Sequence, residues 1–288
     1  MEIEELYNQY RPLLFTLAYQ MTGSSMDAED LVQDVFMKLH HIDIGKLDNP
    51  KAFLCKMVTN KCLDYLTSAR KKREQYVGVW LPEPVVVSDD ISDLVADKDL
   101  LSYVMLVLME RLTPIERAIF LLKEAYAFDY RTIASFVDKS EVNCRKIYSR
   151  AKMKLGEKEE AKMKLDNHWM NDLLTALREG NVEKLLPLIS EDITVYSDGG
   201  GKVPAALYPI QTPERVLRFL GGLLNRLPLF GVDARMERIM INREEGIIVR
   251  TDKDIILVAM FNVQMNLVNN IYFIRNPDKL EMLRKQLI

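Results

Sequence analysis

At 288 residues the chain has room for two or three domains, each able to bury its own core. With 48% hydrophobic and 28% charged residues it is neither fibrous nor disordered, and no apolar run approaches the roughly 18 residues of a membrane-spanning helix. A net charge of −3 excludes a surface coated throughout for nucleic acid, but it hides local asymmetry.

From Ile3 to about Tyr76 the pattern is helical. Leu6, Tyr10, Leu13, Leu14, Leu17 and Met21 recur at helix spacing, and Gly23-Ser24-Ser25 breaks the run. The acidic, polar start MEIEELYNQYRP is unlike a secretory signal, so a cytoplasmic location is expected. A second helix opens with Asp27, Glu29 and Asp30, where carboxylates suit the positive end of the helix dipole, and carries the stripe Leu31, Val32, Val35, Phe36 and Leu39. Asn49-Pro50 starts a third, running through Ala52, Leu54, Met57, Val58 and Leu63 to the basic cluster Arg70-Lys71-Lys72-Arg73.

Residues 77–97 change character. Trp80-Leu81-Pro82-Glu83-Pro84 before Val85-Val86-Val87 is incompatible with a helix, and Asp89, Asp90 and Asp93 follow. This is a linker with an exposed apolar peptide, in which Trp80 is either a packing anchor or a docking motif. Residues 98–160 return to helices, with Leu100, Leu101, Val104, Leu108 and Leu112 on one face. Thr113-Pro114 with Glu116 reads as a capping box. Two helices, Tyr130 to Val137 and Ser140 to Leu155, are separated only by Asp138-Lys139, which suggests a helix-turn-helix. From 161 to 288 helical runs (Trp169 to Glu179, Val182 to Leu188, Pro213 to Leu227) precede strands near 231–241, 246–250, 255–262 and 264–275. Helices followed by an antiparallel meander indicate an α+β domain with helices on one curved sheet.

Catalytic signatures are missing: there is no P-loop, nucleophile elbow, zinc-protease motif or dinucleotide-binding glycine pattern. Cys55, Cys62 and Cys144 are too scattered for a disulfide framework or zinc site, and Asp27, Glu29, Asp30 and Asp34 are dispersed around a helix, so no metal and no cofactor is expected. Ser197-Asp198-Gly199-Gly200-Gly201-Lys202 is open to three readings: a flexible turn, an anion-holding nest, or a contact through Asp198.

Basic residues concentrate in two places, around Lys56, Lys61 and Arg70 to Arg73, and along Lys139, Arg145, Lys146, Arg150, Lys152 and Lys154. Cations so clustered neutralise phosphates. In a helix-turn-helix the start of the second helix enters the major groove, which assigns base contacts to Ser140, Glu141, Asn143, Cys144 and Lys146, and phosphate contacts to Arg145 and Arg150.

The order of these parts resembles the extracytoplasmic-function (group IV) sigma factors of bacterial RNA polymerase. Asp27 to Phe36 resembles the family's second-region helix, and the resemblance assigns Asp27, Asp30, Leu31, Gln33, Asp34 and Phe36 to the β′ clamp helices. Ala52-Phe53-Leu54 through Asn60, Lys61 and Asp64 to Arg70, Lys71 and Arg73 is similar to the segment that melts and reads the −10 element. The family's base-capturing loop would then fall near Lys56, Val58, Thr59, Asn60 and Asp64, with Asn60 either offering its amide to an extruded base or ending a helix. Leu112 to Arg117 and the helix-turn-helix resemble the fourth region, which reads the −35 element and meets the β flap.

Trp80-Leu81-Pro82-Glu83-Pro84, Asp198-Gly199-Gly200-Gly201 and Asn276-Pro277-Asp278-Lys279-Leu280 resemble three signatures of a subgroup with a fused SnoaL-like, nuclear-transport-factor-2-like (NTF2-like) domain. The resemblance implies control in cis through Trp80, Leu81, Pro82, Asp198, Gly199, Gly200, Asn276, Pro277 and Asp278, with a separate anti-sigma factor not required and a small-molecule ligand of the last domain left open. The expected architecture is multidomain: an all-α region at 1–76, the linker 77–97, an all-α helix-turn-helix region at 98–160, and an α+β NTF2-like cone at 161–288. Two other readings compete, a SnoaL-type isomerase or hydrolase joined to a DNA-binding module, and a ligand-sensing helix-turn-helix repressor. The first needs a polar cone with a working carboxylate, and the second leaves Asp27–Phe36 without a role.

Overall fold

The computed structural model describes residues 3–43, 45, 47–73, 75–86, 100–156, 168–226, 229 and 234–288. The acidic tract Asp89, Asp90 and Asp93, and the side chains of Arg70, Lys71, Lys72 and Arg73, lie outside the described residues. The chain divides into two compact units. One is Met1–Gln75 with Val87–Lys158, the other Tyr76–Val86 with Glu159–Ile288.

The first unit is all helical. Helix α1 (Ile3–Thr22) stops at Gly23, whose φ of 72° favours glycine, and α2 (Ser25–Leu39) starts under Ser24, which accepts from the Asp27 amide at 3.3 Å. Asn49 caps α3 (Pro50–Arg73) through the Ala52 amide at 3.0 Å. Leu54, Val58, Cys62 and Leu66 recur every four residues along α3 and are all buried. With no glycine or proline after Pro50, α3 runs unbroken, so the expected loop near Lys56 to Asp64 is not there. The chain leaves helix instead between Leu39 and Pro50.

Helix α4 (Tyr103–Met109) is shorter than the Leu100–Leu112 stripe suggested, because Ser102 is extended and caps it through the Met105 amide. Helices α5 (Pro114–Glu124), α6 (Tyr130–Val137) and α7 (Glu141–Leu155) pack together, and α5 and α6 also pack on α3. Arg117 pins α5 to α1. Its buried guanidinium donates to the Met21 carbonyl at 2.8 Å and the Met109 carbonyl at 2.7 Å, and pairs with Glu110 at 2.7 Å.

The second unit is α+β. Helix α8 (His168–Arg178) and a 3₁₀ turn (Val182–Leu188) lead into β1 (Ile189–Asp198) and β2 (Ile210–Gln211). Helix α9 (Pro213–Leu224) follows, then β3 (Arg235–Ile241), β4 (Glu244–Arg250), β5 (Ile255–Gln264) and β6 (Leu267–Ile274), with a closing turn (Pro277–Leu280) and α10 (Glu281–Leu287). The sheet order is β2-β1-β6-β5-β4-β3. Strands β3 to β6 form the expected antiparallel meander, but the sheet is mixed: β6 returns alongside β1 and pairs with it in parallel. Helices α8 and α9 bury their apolar sides against one sheet face, giving the cone, around Leu173, Val216, Leu220, Val249, Leu257 and Phe273. The hairpin turn Asn242-Arg243 has positive φ at both residues (49° and 64°), the twist that a two-residue loop requires.

Candidate functional site

The helix-turn-helix is built from local caps. Asp129 caps α6 through the Thr132 amide at 2.7 Å, Asp138 makes the turn at φ 50°, and Ser140 caps α7 through the Asn143 amide at 3.3 Å. Ile133, Phe136 and Val137 face Cys144, Ile147 and Ala151 in the core. Glu141, Arg145, Lys146 and Arg150 are left exposed on α7, with Ser140 beside them and Asn143 half-buried. Arg145 is pre-oriented, its guanidinium 4.5 Å from the Tyr130 ring centre and 3.7 Å from Glu141. Cys144 is a correction: expected to meet bases, it is fully buried on the packing side of α7, where desolvation pushes its thiol up from the usual value. It contributes to the fold and cannot reach a groove.

Below this pair, Glu116 closes the capping box at the start of α5. It accepts from the Thr113 amide at 2.9 Å and from Lys154 at 2.7 Å on both oxygens. Burial alone would raise its carboxyl, but the Lys154 ammonium and the Thr113 amide and hydroxyl outweigh that and hold it below the ordinary range. Lys154 is therefore tied to the fold at the base of the basic helix.

On α2, Asp30, Gln33 and Asp34 are exposed with Met26 and Met37, while Asp27 is half-buried. Leu31 and Phe36 are corrected inward. Both are buried, Phe36 edge-on to Tyr7 at 4.9 Å, so they hold the helix and leave contact to the polar stripe. On α3, Lys56 and Asp64 are exposed, Asn60 and Lys61 half-buried, and Val58 and Thr59 buried. Lys61 reaches α2 to pair with Asp34 at 2.7 Å.

A dense polar arrangement lies in the second unit, where residues 76–86 form an extended strap. Asp198, at the end of β1, is completely buried and has four donors. Tyr76 Oη and the Gly200 amide reach one oxygen at 2.5 and 3.0 Å, and the Leu81 amide and Lys279 Nζ reach the other at 2.9 and 2.6 Å. Lys279 also donates to the Leu81 carbonyl at 2.5 Å and sits 4.0 Å from the Trp80 ring centre and 5.0 Å from that of Tyr76. Burial and then the Asp198 carboxylate push the Tyr76 hydroxyl far above its ordinary value, so it stays a donor.

Asn276 donates its side-chain amide to Tyr76 Oη at 2.9 Å, and its backbone amide with that of Arg275 binds the Asp198 carbonyl. Further along the strap, Val85 exchanges two hydrogen bonds with buried Asn242, through its amide at 3.1 Å and its carbonyl at 2.9 Å. Gly199 and Gly200 are required by close approach: a Cβ on Gly200 would overlap the Asn276 carboxamide, and one on Gly199 the Val203 carbonyl. Lys202 pairs with Asp278 at the rim at 2.6 Å, Pro277 opens the 3₁₀ turn that carries Lys279, and Pro82 lies in the strap.

The structure thus brings Trp80, Leu81, Asp198, Gly200 and Asn276 together around Lys279 and Tyr76, while Asn242 holds the strap further along at Val85. Lys279, Tyr76 and Asn242 are the residues that sequence reasoning missed as site members. Lys279 was visible inside its motif, whereas nothing singled out Asn242, and their pairing with Leu81 and Val85 spans 198 and 157 residues. The cavity in the cone is lined by leucine, isoleucine, valine, alanine, methionine and phenylalanine, and among the described residues no acid or base lines it.

Comparison with known proteins agrees with this geometry. Residues 6–72 match the model for Sigma-70 region 2 and residues 104–155 that for Sigma-70, region 4. ECF RNA polymerase sigma factor SigJ of Mycobacterium tuberculosis is 33% identical over 260 residues, covering 85% of this chain and 80% of that protein. Probable ECF RNA polymerase sigma factor SigI of the same species is 32% identical over 158 residues, 54% of each chain. The crystal structure of SigJ superposes with a TM-score of 0.78 at 29% identity, over 97% of this chain and 98% of that one.

Proposed function

The chain belongs to the extracytoplasmic-function sigma factors of RNA polymerase, alternative initiation factors that direct promoter-specific transcription, and on that premise we propose how its parts divide the work. It performs no chemistry of its own. Residues 1–76 bind the core enzyme and the −10 element, with Asp27, Asp30, Gln33 and Asp34 of α2 meeting the β′ clamp helices. The −10 DNA runs along α3, where Lys56, Asn60, Lys61 and Asp64 come to the surface ahead of Arg70, Lys71 and Arg73. Residues 98–160 read the −35 element beside the β flap. Lys146, Asn143, Glu141 and Ser140 face base edges, and Arg145 and Arg150 the phosphates.

Residues 161–288 regulate the factor in cis. One observation carries this: the segment joining the two sigma regions in sequence, residues 76–86, is folded into the C-terminal unit by the buried Asp198–Lys279 pair and by Asn242. A linker so held is under the control of the chain's own last domain, which takes the place of a separate anti-sigma factor. The apolar lining among the described residues of the cone favours this reading over the enzyme alternative, and the exposed polar face of α2 favours it over the repressor alternative.

Run-off transcription with bacterial core polymerase on a randomised promoter library tests the reading. Initiation from a defined −35/−10 pair is expected. Arg150→Ala should weaken binding on every promoter and reduce the salt slope by about 0.9, whereas Lys146→Ala should relax preference at one −35 position by about 1–3 kcal/mol. Failure of the full chain to bind core or initiate anywhere would refute the assignment.

A further inference from the structure

Helix α7 has a packed side and an open side. Cys144, Ile147 and Ala151 are buried, whereas Glu141, Val142, Arg145, Lys146, Ser149 and Arg150 are exposed. At about 3.6 residues per turn, the direction opposite the buried residues passes through Val142 and Ser149. Within the first turn Val142 is therefore the residue that points most directly away from the core, and it is 63% exposed. Cys144, which the sequence alone places among the base contacts, is turned inward by the same periodicity.

Charge borders Val142 on both flanks. Arg145 reaches Glu141 at 3.7 Å and lies 4.5 Å from the ring centre of Tyr130 on α6, while Lys146 stands one turn after Val142 on the other side. Valine is a poorer helix former than alanine, and at this exposed place it gains little burial in the free chain. What it offers is shape. In a helix its χ1 is held close to one rotamer, so its methyl groups present a fixed apolar surface with little freedom left to lose on binding.

A valine side chain neither donates nor accepts a hydrogen bond. Along the major groove the base edges present donors, acceptors and one kind of apolar group, the C5 methyl of thymine. We propose that Val142 reads a thymine methyl in the −35 element and so favours an A·T pair at one position. The inference rests on the reading that the start of α7 enters the major groove, and it gives that recognition an apolar contact beside the polar ones of Glu141, Asn143 and Lys146.

The test uses the full chain with core polymerase on the promoter that run-off transcription defines. Each thymine of the −35 element, on either strand, is replaced in turn by deoxyuridine, which removes the C5 methyl and leaves every hydrogen-bonding group in place. With the natural chain one replacement should weaken promoter binding by about fourfold, the weight of one methyl group taken out of water at ~1.4 kcal/mol per tenfold. Val142→Ala should weaken binding to the thymine promoter by a similar factor and abolish the response to deoxyuridine at that position, so that both changes together cost no more than either alone. Alanine favours the helix, so the variant keeps its fold, and its salt slope, which counts phosphate contacts, should stay that of the natural chain. A −35 element without an A·T pair, no thymine at which deoxyuridine weakens binding, or an equal deoxyuridine loss in Val142→Ala overturns the proposal. Lys146→Ala separates that result from failure of the underlying reading. A −35 preference altered by Lys146→Ala but blind to deoxyuridine leaves α7 in the groove and removes Val142 from recognition, whereas binding indifferent to both the −35 sequence and Lys146→Ala refutes the two together.

Discussion

A buried carboxylate is tolerated only when its lone pairs and its charge are both answered. Asp198 meets that condition with Tyr76, Leu81 and Gly200 as hydrogen-bond donors and Lys279 as counter-charge. Removing the charge while keeping the shape leaves Lys279 buried without the Asp198 counter-charge. Asp198→Asn is therefore expected to cost about 3–5 kcal/mol locally, the range for breaking one side of a buried pair. Hydrogen exchange at the Leu81 amide should accelerate by about a hundredfold or more, at ~1.4 kcal/mol per tenfold, and unchanged exchange would show that Asp198 does not hold the strap. At this scale the sequence was half legible. Three glycines after Asp198 announced an unusual backbone, and a flexible turn was the favoured reading over an anion nest or a contact, because only the fold brings Lys279 and Asn276 to it. Cys144 shows the reverse limit: its place in the recognition helix was readable, its side was not, and it points to the core.

Helices were legible where their ends are chemical. The Thr113–Glu116 capping box, the Asn49 cap and the Asp138 turn stand where local residues put them. What a local signal lacks is partner information, so the parallel return of β6 beside β1 was not readable from the strand pattern, and α3 was given a loop that its four-residue apolar stripe forbids. The capping box also gives α5 a pH signature. The folded-state value of Glu116 is depressed, so the unfolded chain takes up the proton first as pH falls. The stability that Glu116 contributes is present above the ordinary glutamate value of about 4.3 and is lost as pH falls through the depressed one. Glu116→Gln keeps the cap but loses the Lys154 charge pair. In urea titrations it should be about 1 kcal/mol less stable than the natural chain at pH 7, with the gap closing below about pH 4. A gap independent of pH would place the contribution in packing.

At the scale of the whole molecule, one chain carries two sigma regions in a single helical unit and places the segment that joins them in another. The sigma regions and the α+β cone were readable, since their order and motifs resembled a family; the strap's capture was implied by that resemblance and acquires its mechanism from the hydrogen bonds of Tyr76, Leu81 and Val85. If the C-terminal unit governs the factor through the strap, loosening the strap without deleting anything must change transcription. The most direct measurement is run-off initiation by core polymerase with the natural chain and with Asn242→Ala, which removes the side-chain acceptor of the Val85 amide and lies far in sequence from both sigma regions. The account expects the Asn242→Ala output to differ severalfold, by about threefold or more, given the ~1–3 kcal/mol cost of an unsatisfied buried amide. Equal output from both chains, with binding to core unchanged, would contradict control in cis through the strap.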